Sequence, residues 1–62
     1  MKPGNLVRIK RAGIGLPAGT IAIIVESWQM PYTMLHVVKL LSGQLSGKER
    51  RFIPRDLEVI SS

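Results

Sequence analysis

The chemistry that this sequence offers most plainly is positive charge. Nine Lys and Arg residues stand against four Asp and Glu residues in 62 positions, which gives a formal net charge of +5 and a calculated pI of about 10.5. Such an excess favours an anionic partner, namely nucleic acid, an acidic protein or a membrane surface, although surface charge also serves solubility alone. The basic residues with a candidate binding role lie near the two ends of the chain: Lys10, Arg11, Lys48, Arg50, Arg51 and Arg55.

Aromatic side chains are the second requirement of a nucleic-acid site, because bases stack on them. Trp28 and Tyr32 flank a short connecting segment and could supply that stacking. The alternative for Trp28 is that it covers one open end of the fold. The basic residues would share one face if the first and fourth strands lie close together. On that condition, the sequence predicts a nucleic-acid site formed by the basic residues with Trp28 and Tyr32.

A protein-binding or self-assembling surface is the competing hypothesis. Several large apolar residues fall in predicted connections or at strand starts, where exposed apolar clusters usually mark partner surfaces. A chain of this size has a small core, which a second copy would extend. These residues could instead fold back onto the core. The predicted interface consists of Leu16, Trp28, Met30, Met34 and Leu45.

Catalytic and metal chemistry is thinly represented. His36 is the one residue that normally titrates near neutral pH, and a single His in a strand is more often packed or on the surface than catalytic. With no Cys and one His, a disulfide and a tetrahedral Cys/His zinc site are excluded. Gly13, Gly15 and Gly19 lack the spacing and the Lys of a phosphate-binding loop, and Asp56 is expected to cap a turn. We therefore expect a non-enzymatic protein without a cofactor or metal.

The elements that must position these residues are short strands separated by turns. The sequence predicts strands over residues 6–10, 20–26, 32–41, 48–53 and 57–60, with a single helical turn at 54–56. Residues 27–31 and 42–47 are predicted connections. A helical stripe also fits residues 30–41, but paired Val residues favour a strand there. The second strand does not alternate strictly, which indicates burial on both faces or a bulge near Ala22. The prediction is one all-β domain over residues 1–62, a small five-stranded barrel.

Three segments of the chain resemble a known fold family. Residues 1–9 (MKPGNLVRI) and 18–26 (AGTIAIIVE) look like the opening of an SH3-like barrel and are similar to the KOW motif of ribosomal proteins and transcription elongation factors. Residues 51–60 (RFIPRDLEVI) resemble the last strands and intervening turn of the same barrels. The resemblance implies an SH3-like barrel with one short helical turn before the last strand. The chain also looks like short proteins of unassigned function encoded by marine phages.

One enzyme family shares this outline. The plasmid-borne type II dihydrofolate reductases are small SH3-like barrels that work as tetramers around a central pore, which a Val-Gln-Ile-Tyr-Pro segment lines. The matching residues here are 50–54, in which Arg51 and Ile53 replace the Gln and the Tyr of that motif. Losing both polar groups argues against a reductase. No apolar stretch approaches the roughly 20 residues of a membrane span, so we expect a cytoplasmic protein without membrane contact, in the host cytoplasm if phage-encoded.

Overall fold

The computed structural model describes residues 1–11 and 16–61. The glycine-rich stretch with Gly13 and Gly15 lies outside the described residues, and so does the prediction that it is no phosphate-binding loop. The described chain forms five strands and one 3-10 turn. These elements are β1 (Leu6–Ile9), β2 (Ile21–Gln29), β3 (Met34–Leu40), β4 (Glu49–Phe52), the turn η1 (Pro54–Asp56) and β5 (Leu57–Ser61).

All five strands belong to one antiparallel sheet with the order β4-β3-β2-β1-β5. The first four strands follow one another as a meander, and β5 returns to pair with β1. Within residues 1–11 and 16–61, no hydrogen-bond ladder joins β4 to β5. The hydrogen bonds between the strands therefore do not close the sheet into a barrel. The prediction of an all-β chain with five strands and a helical turn is confirmed. The helical segment in this part of the chain is three residues long, so no helix here could span a membrane.

The core lies on one face of the sheet. Successive side chains of a strand point to opposite faces, and in β1 the buried Val7 and Ile9 alternate with the exposed Arg8 as predicted. The strand β3 likewise buries every second residue, which confirms a strand rather than a helix at residues 34–40. The buried apolar residues are Val7, Ile9, Leu16, Ala22, Ile24, Val38, Leu40 and Leu57, with Leu45 and Phe52 packed against them.

One extra residue interrupts the ladder between β2 and β3. Ile24 pairs with Val38, but the next pair joins Glu26 to Val37, so Val25 has no partner of its own. An extra residue of this kind is a β-bulge, which changes the faces to which the following side chains point. If Val25 were instead paired in a regular ladder, the alternation that starts at the buried Ile24 would turn Glu26 inward. With the bulge, Glu26 is exposed on the outer face.

Two predictions about β2 are wrong for the same reason. Residues 27–29, predicted as part of a connection, belong to the strand because pairing resumes after the bulge and continues to Gln29. Of the two alternatives for the irregular pattern, burial on both faces or a bulge near Ala22, the second has the wrong position: the bulge lies at Val25, and Ala22 pairs regularly with Leu40 and is completely buried. The irregular hydrophobic pattern of the strand therefore reflects a bulge that the sequence alone did not locate.

Candidate nucleic-acid interface

The bulge in β2 determines which side chains face the solvent at one end of the sheet. After Val25, Ser27 points inward opposite His36, and Trp28 points outward opposite Leu35. The Ser27 Oγ and the His36 Nδ1 are 2.7 Å apart, within hydrogen-bond distance. His36 is only 1% exposed, and this burial lowers its pKa below the ordinary value of 6.5 because the protein interior disfavours the charged imidazolium. His36 is thus a packed residue, one of the two placements expected from the sequence.

A groove of about 500 Å³ lies on the outer face of β2, β3 and β4. The strand register explains most of its composition, except for Arg50, whose cross-strand partner is the buried Val38. Val37 of β3 pairs with Glu26 on one side and with Arg51 on the other, while Leu35 pairs with Trp28. The floor of the groove is therefore apolar. Glu26 of β2 lies at one side of the floor, and the charged residues of β4 lie at the other. The lining residues are Glu26, Trp28, Met30, Leu35, Val37, Glu49, Arg50 and Arg51.

Two charged side chains of the groove, Arg51 and Glu26, are free to meet a ligand. Both ion pairs that the described residues form lie elsewhere in the molecule. The Arg50 Nη1 donates a hydrogen bond of 2.8 Å to the backbone carbonyl of Glu49, which holds the Arg50 side chain along its own strand. The Arg51 guanidinium and the Glu26 carboxylate have no ion-pair partner within residues 1–11 and 16–61. A groove with an apolar floor and a cationic side chain that forms no ion pair suits a flat ligand that carries anionic groups.

The basic residues predicted as one face fall into two groups. Arg50 and Arg51 line the groove, and the exposed Lys48 directly precedes β4. The other group lies beside η1, which contains Arg55, and the backbone N–H of Lys10 donates a hydrogen bond of 2.8 Å to the carbonyl of the last residue of η1. The strands β2 and β3 separate β1 from β4 in the sheet. The adjacency on which a single basic face depended is therefore absent from the sheet pairing.

The second basic group is partly neutralised. The Arg11 Nη1 lies 3.7 Å from the Asp56 Oδ1, and Arg8 on β1 pairs with Glu58 of β5 at 3.4 Å. The prediction that Asp56 caps the turn is wrong, because its buried Oδ1 accepts no hydrogen bond. Its carboxylate faces Arg11 instead, and the turn η1 ends with a bond from the Leu57 N–H to the backbone of its first residue.

The two predicted aromatic contacts occupy different places. The Trp28 side chain is 54% exposed and lines the groove, so it stands on the outer face of the sheet. Tyr32 is fully exposed in the connection between β2 and β3 and is not among the groove residues. Only Trp28 therefore shares a surface with Arg50 and Arg51.

The predicted apolar interface is mostly dispersed. Leu16 is buried in the core, and Leu45 packs against the core from the connection that precedes β4. Met34 is half-buried at the start of β3. Trp28 and Met30 remain exposed, and both line the groove. Of the predicted interface residues, the two that stay exposed therefore lie in the groove.

Four groove residues were missed by reasoning from the sequence. Alternation along β3 predicts Leu35 and Val37 on the same face of the strand, but nothing in the sequence indicates that this face is the outer one or which neighbours flank them. Glu26 was assigned to a strand that ended at that position, and Glu49 to a basic segment. Their approach depends on the register of three strands, which short-range patterns do not specify.

No protein-family model matches the chain, and no curated protein or solved structure matches it. The described residues also hold no cluster of three His, Cys, Asp or Glu side chains that could bind a metal ion. What the site does must therefore be argued from its own geometry and charge.

Proposed function

We propose that this protein is a small binding module for single-stranded nucleic acid, with the groove over β2, β3 and β4 as its site. The observation that carries the proposal is the exposed indole of Trp28 in the same groove as Arg50 and Arg51. Stacking of a base on an aromatic side chain contributes about 1–3 kcal/mol, and it requires a base that is not already stacked in a duplex. The two arginines supply cations for the flanking phosphates.

The net charge of +5 supports the same function at longer range. An excess of one sign raises the rate of encounter with a polyanion and makes binding dependent on salt. Lys10 and Arg55, which lie away from the groove, contribute to this attraction rather than to the contact. Lys48 extends the positive charge of β4 at the start of that strand.

The proposal includes an SH3-like barrel, in which the sheet curls on itself although no hydrogen-bond ladder joins β4 to β5 in the described residues. Its support is the topology: a four-stranded meander, a 3-10 turn, and a last strand that returns to the first. The turn η1 contacts both β3 and β5, which belong to opposite halves of the sheet. The outer face of such a barrel presents the groove to solvent.

A second candidate function is the capture of an extended peptide from another protein. It is favoured by the apolar part of the groove, where Met30 and Trp28 stand exposed beside Leu35 and Val37. Peptide binding through these residues would depend weakly on salt, whereas nucleic-acid binding releases counterions and depends on it steeply.

The test is a fluorescence-anisotropy titration of a labelled 12-nucleotide single strand of mixed sequence, at about 50 and 200 mM salt. The double variant Arg50→Ala/Arg51→Ala should bind more weakly, and the log-log salt slope should shrink by about 1.4, since each phosphate contact contributes about 0.7 on a single strand. The matched control is Lys2→Ala/Lys10→Ala, which removes the same charge from exposed positions that lie outside the groove and form neither of the two ion pairs of the described residues.

The two double variants separate contact from net charge. The control should keep most of the slope of the original protein. Equal losses in both variants would mean that only the total charge matters. An original protein that does not bind at the lower salt concentration would overturn the proposed function.

A further inference from the structure

We propose that the groove prefers guanine, and that one unstacked guanine lies flat over Val37 between Glu26 and Arg51. The inference rests on the proposed function and names the base that the site selects. Its starting point is a carboxylate in a groove that should otherwise repel phosphates. Glu26 needs a role that the binding of a phosphate backbone does not give it.

The three residues form one row across the sheet. Glu26 pairs with Val37, and Val37 pairs with Arg51. Neighbouring strands lie about 4.8 Å apart, so the backbones that carry Glu26 and Arg51 are separated by about 9.6 Å with an apolar side chain between them. A purine above Val37 is wide enough to reach a hydrogen-bonding group on each side. Trp28 stands two residues along β2 from Glu26 on the same face and provides the aromatic surface.

Glu26 and Arg51, at the two ends of this row, require opposite hydrogen-bonding groups on the ligand. An ionised carboxylate only accepts, and two adjacent donors satisfy both of its oxygens. An arginine fork only donates, and the pairing of Arg with the O6 and N7 of guanine is the commonest specific contact to a base. Guanine carries the adjacent donors N1–H and N2–H₂ on one edge and the acceptors O6 and N7 on another.

The other bases fit this pair of groups less well. Adenine presents a donor beside an acceptor, N6–H₂ beside N1, so its Watson–Crick edge would set a lone pair against Glu26. Thymine and uracil present one donor between two carbonyl oxygens. Cytosine offers its N4 donor to a carboxylate, but it has no second donor beside it, so it satisfies only one carboxylate oxygen. Guanine alone offers two adjacent donors to Glu26 and two adjacent acceptors to Arg51.

The second acidic residue of the groove is in a different situation. Glu49 lies directly opposite Lys39 in the ladder between β3 and β4, so its cross-strand neighbour is basic. The cross-strand neighbour of Glu26 is the apolar Val37. Glu26 is therefore the carboxylate that we assign to the base, and Glu49 is its matched control within the same groove.

The experiment uses fluorescein-labelled nine-nucleotide strands of thymidine in which the central position is G, A, C or T. The full chain should bind the strand with central G about tenfold tighter than the all-T strand, as a bidentate base contact allows. A central hypoxanthine, which keeps N1–H but lacks the 2-amino group, should bind with intermediate affinity. Glu26→Gln should abolish the preference for G while binding the all-T strand at least as well, because a charge that repels phosphates is gone. Glu49→Gln should keep the preference.

The outcomes separate this inference from the proposed function. Salt-dependent binding of all four strands with equal affinity would overturn the guanine preference and leave the proposed function standing. A preference for G that survives in Glu26→Gln would overturn the assigned contact. If no strand binds at about 50 mM salt, both ideas fail, and the groove is then open to a peptide. Circular dichroism of each variant checks that these exposed substitutions leave the fold intact.

Discussion

His36 is the residue whose protonation should matter most for stability. Its imidazole is buried against Ser27, and burial lowers its pKa below 6.5. The unfolded chain therefore binds more protons than the folded chain between pH 6.5 and the lowered pKa. The stabilisation is fully present above pH 6.5 and is lost as the pH falls through the lowered value. We expect the free energy of unfolding in urea to decrease between about pH 7.5 and 5.5.

The control for this prediction is His36→Asn, which removes the titrating group at the same buried position. The variant should be less stable at every pH, because a buried packed side chain is altered, but its stability should vary less over the same interval. An original protein with constant stability over this range, or a variant with the same pH dependence, would contradict the role assigned to the buried imidazole.

At the same scale, residue type alone predicted part of the site. Aromatic and basic side chains are what a nucleic-acid partner requires, which predicts Trp28, Arg50 and Arg51, and the structure places these three residues in one groove. The same reason predicts Tyr32, which lies outside the groove lining. Glu26 was not predicted, because a hypothesis based on positive charge gives no role to an acidic residue. Its role depends on its cross-strand neighbours, which the sequence does not show.

At the scale of the elements, the bulge at Val25 keeps the faces of β2 in phase with β3. It takes up Val25 as an extra residue, so that Ser27 still points inward and Trp28 outward, and β2 continues to Gln29. Deleting Val25 should leave these faces unchanged, because Glu26 would then follow Ile24 in a regular ladder and still pair with Val37. The Val25 side chain itself is exposed and contributes little to the core.

The matched deletion is that of Ser27. Without Ser27, either Trp28 or Glu26 must turn inward against His36, so the core would receive a side chain that it cannot accommodate. Urea unfolding should find the Val25 deletion folded and close to the original protein in stability, whereas the Ser27 deletion should be unfolded or much less stable. Equal losses in the two deletions would contradict the assigned register.

The sequence pattern of single strands predicts some of the elements correctly and fails for one of them. Alternation was sufficient for β1 and β3, since each has one buried and one outer face. It failed for β2 because a bulge is a property of two paired strands rather than of one segment. The row formed by Glu26, Val37 and Arg51 requires two registers at once, and no local pattern encodes either of them.

At the scale of the whole molecule, the small size of the chain accounts for the fate of the predicted interface. A domain of about 60 residues buries only roughly 60% of the surface that its unfolded chain exposes. Apolar side chains from the connections can therefore add buried surface to a small core. Leu16 and Leu45 lie in connections and pack onto the core rather than toward a partner. Trp28 and Met30 remain in the groove as the apolar surface open to a ligand.

The most direct test of the central claim is a map of where nucleic acid contacts the protein. We would record ¹H–¹⁵N correlation spectra of the labelled protein while adding the nine-nucleotide strand with central guanine. The largest shifts should occur at the Trp28 indole N–H and at the backbone N–H groups of Glu26, Val37 and Arg51. Shifts centred instead on Lys10, Arg11 and Arg55, or no shifts at low salt, would contradict the groove as the binding site.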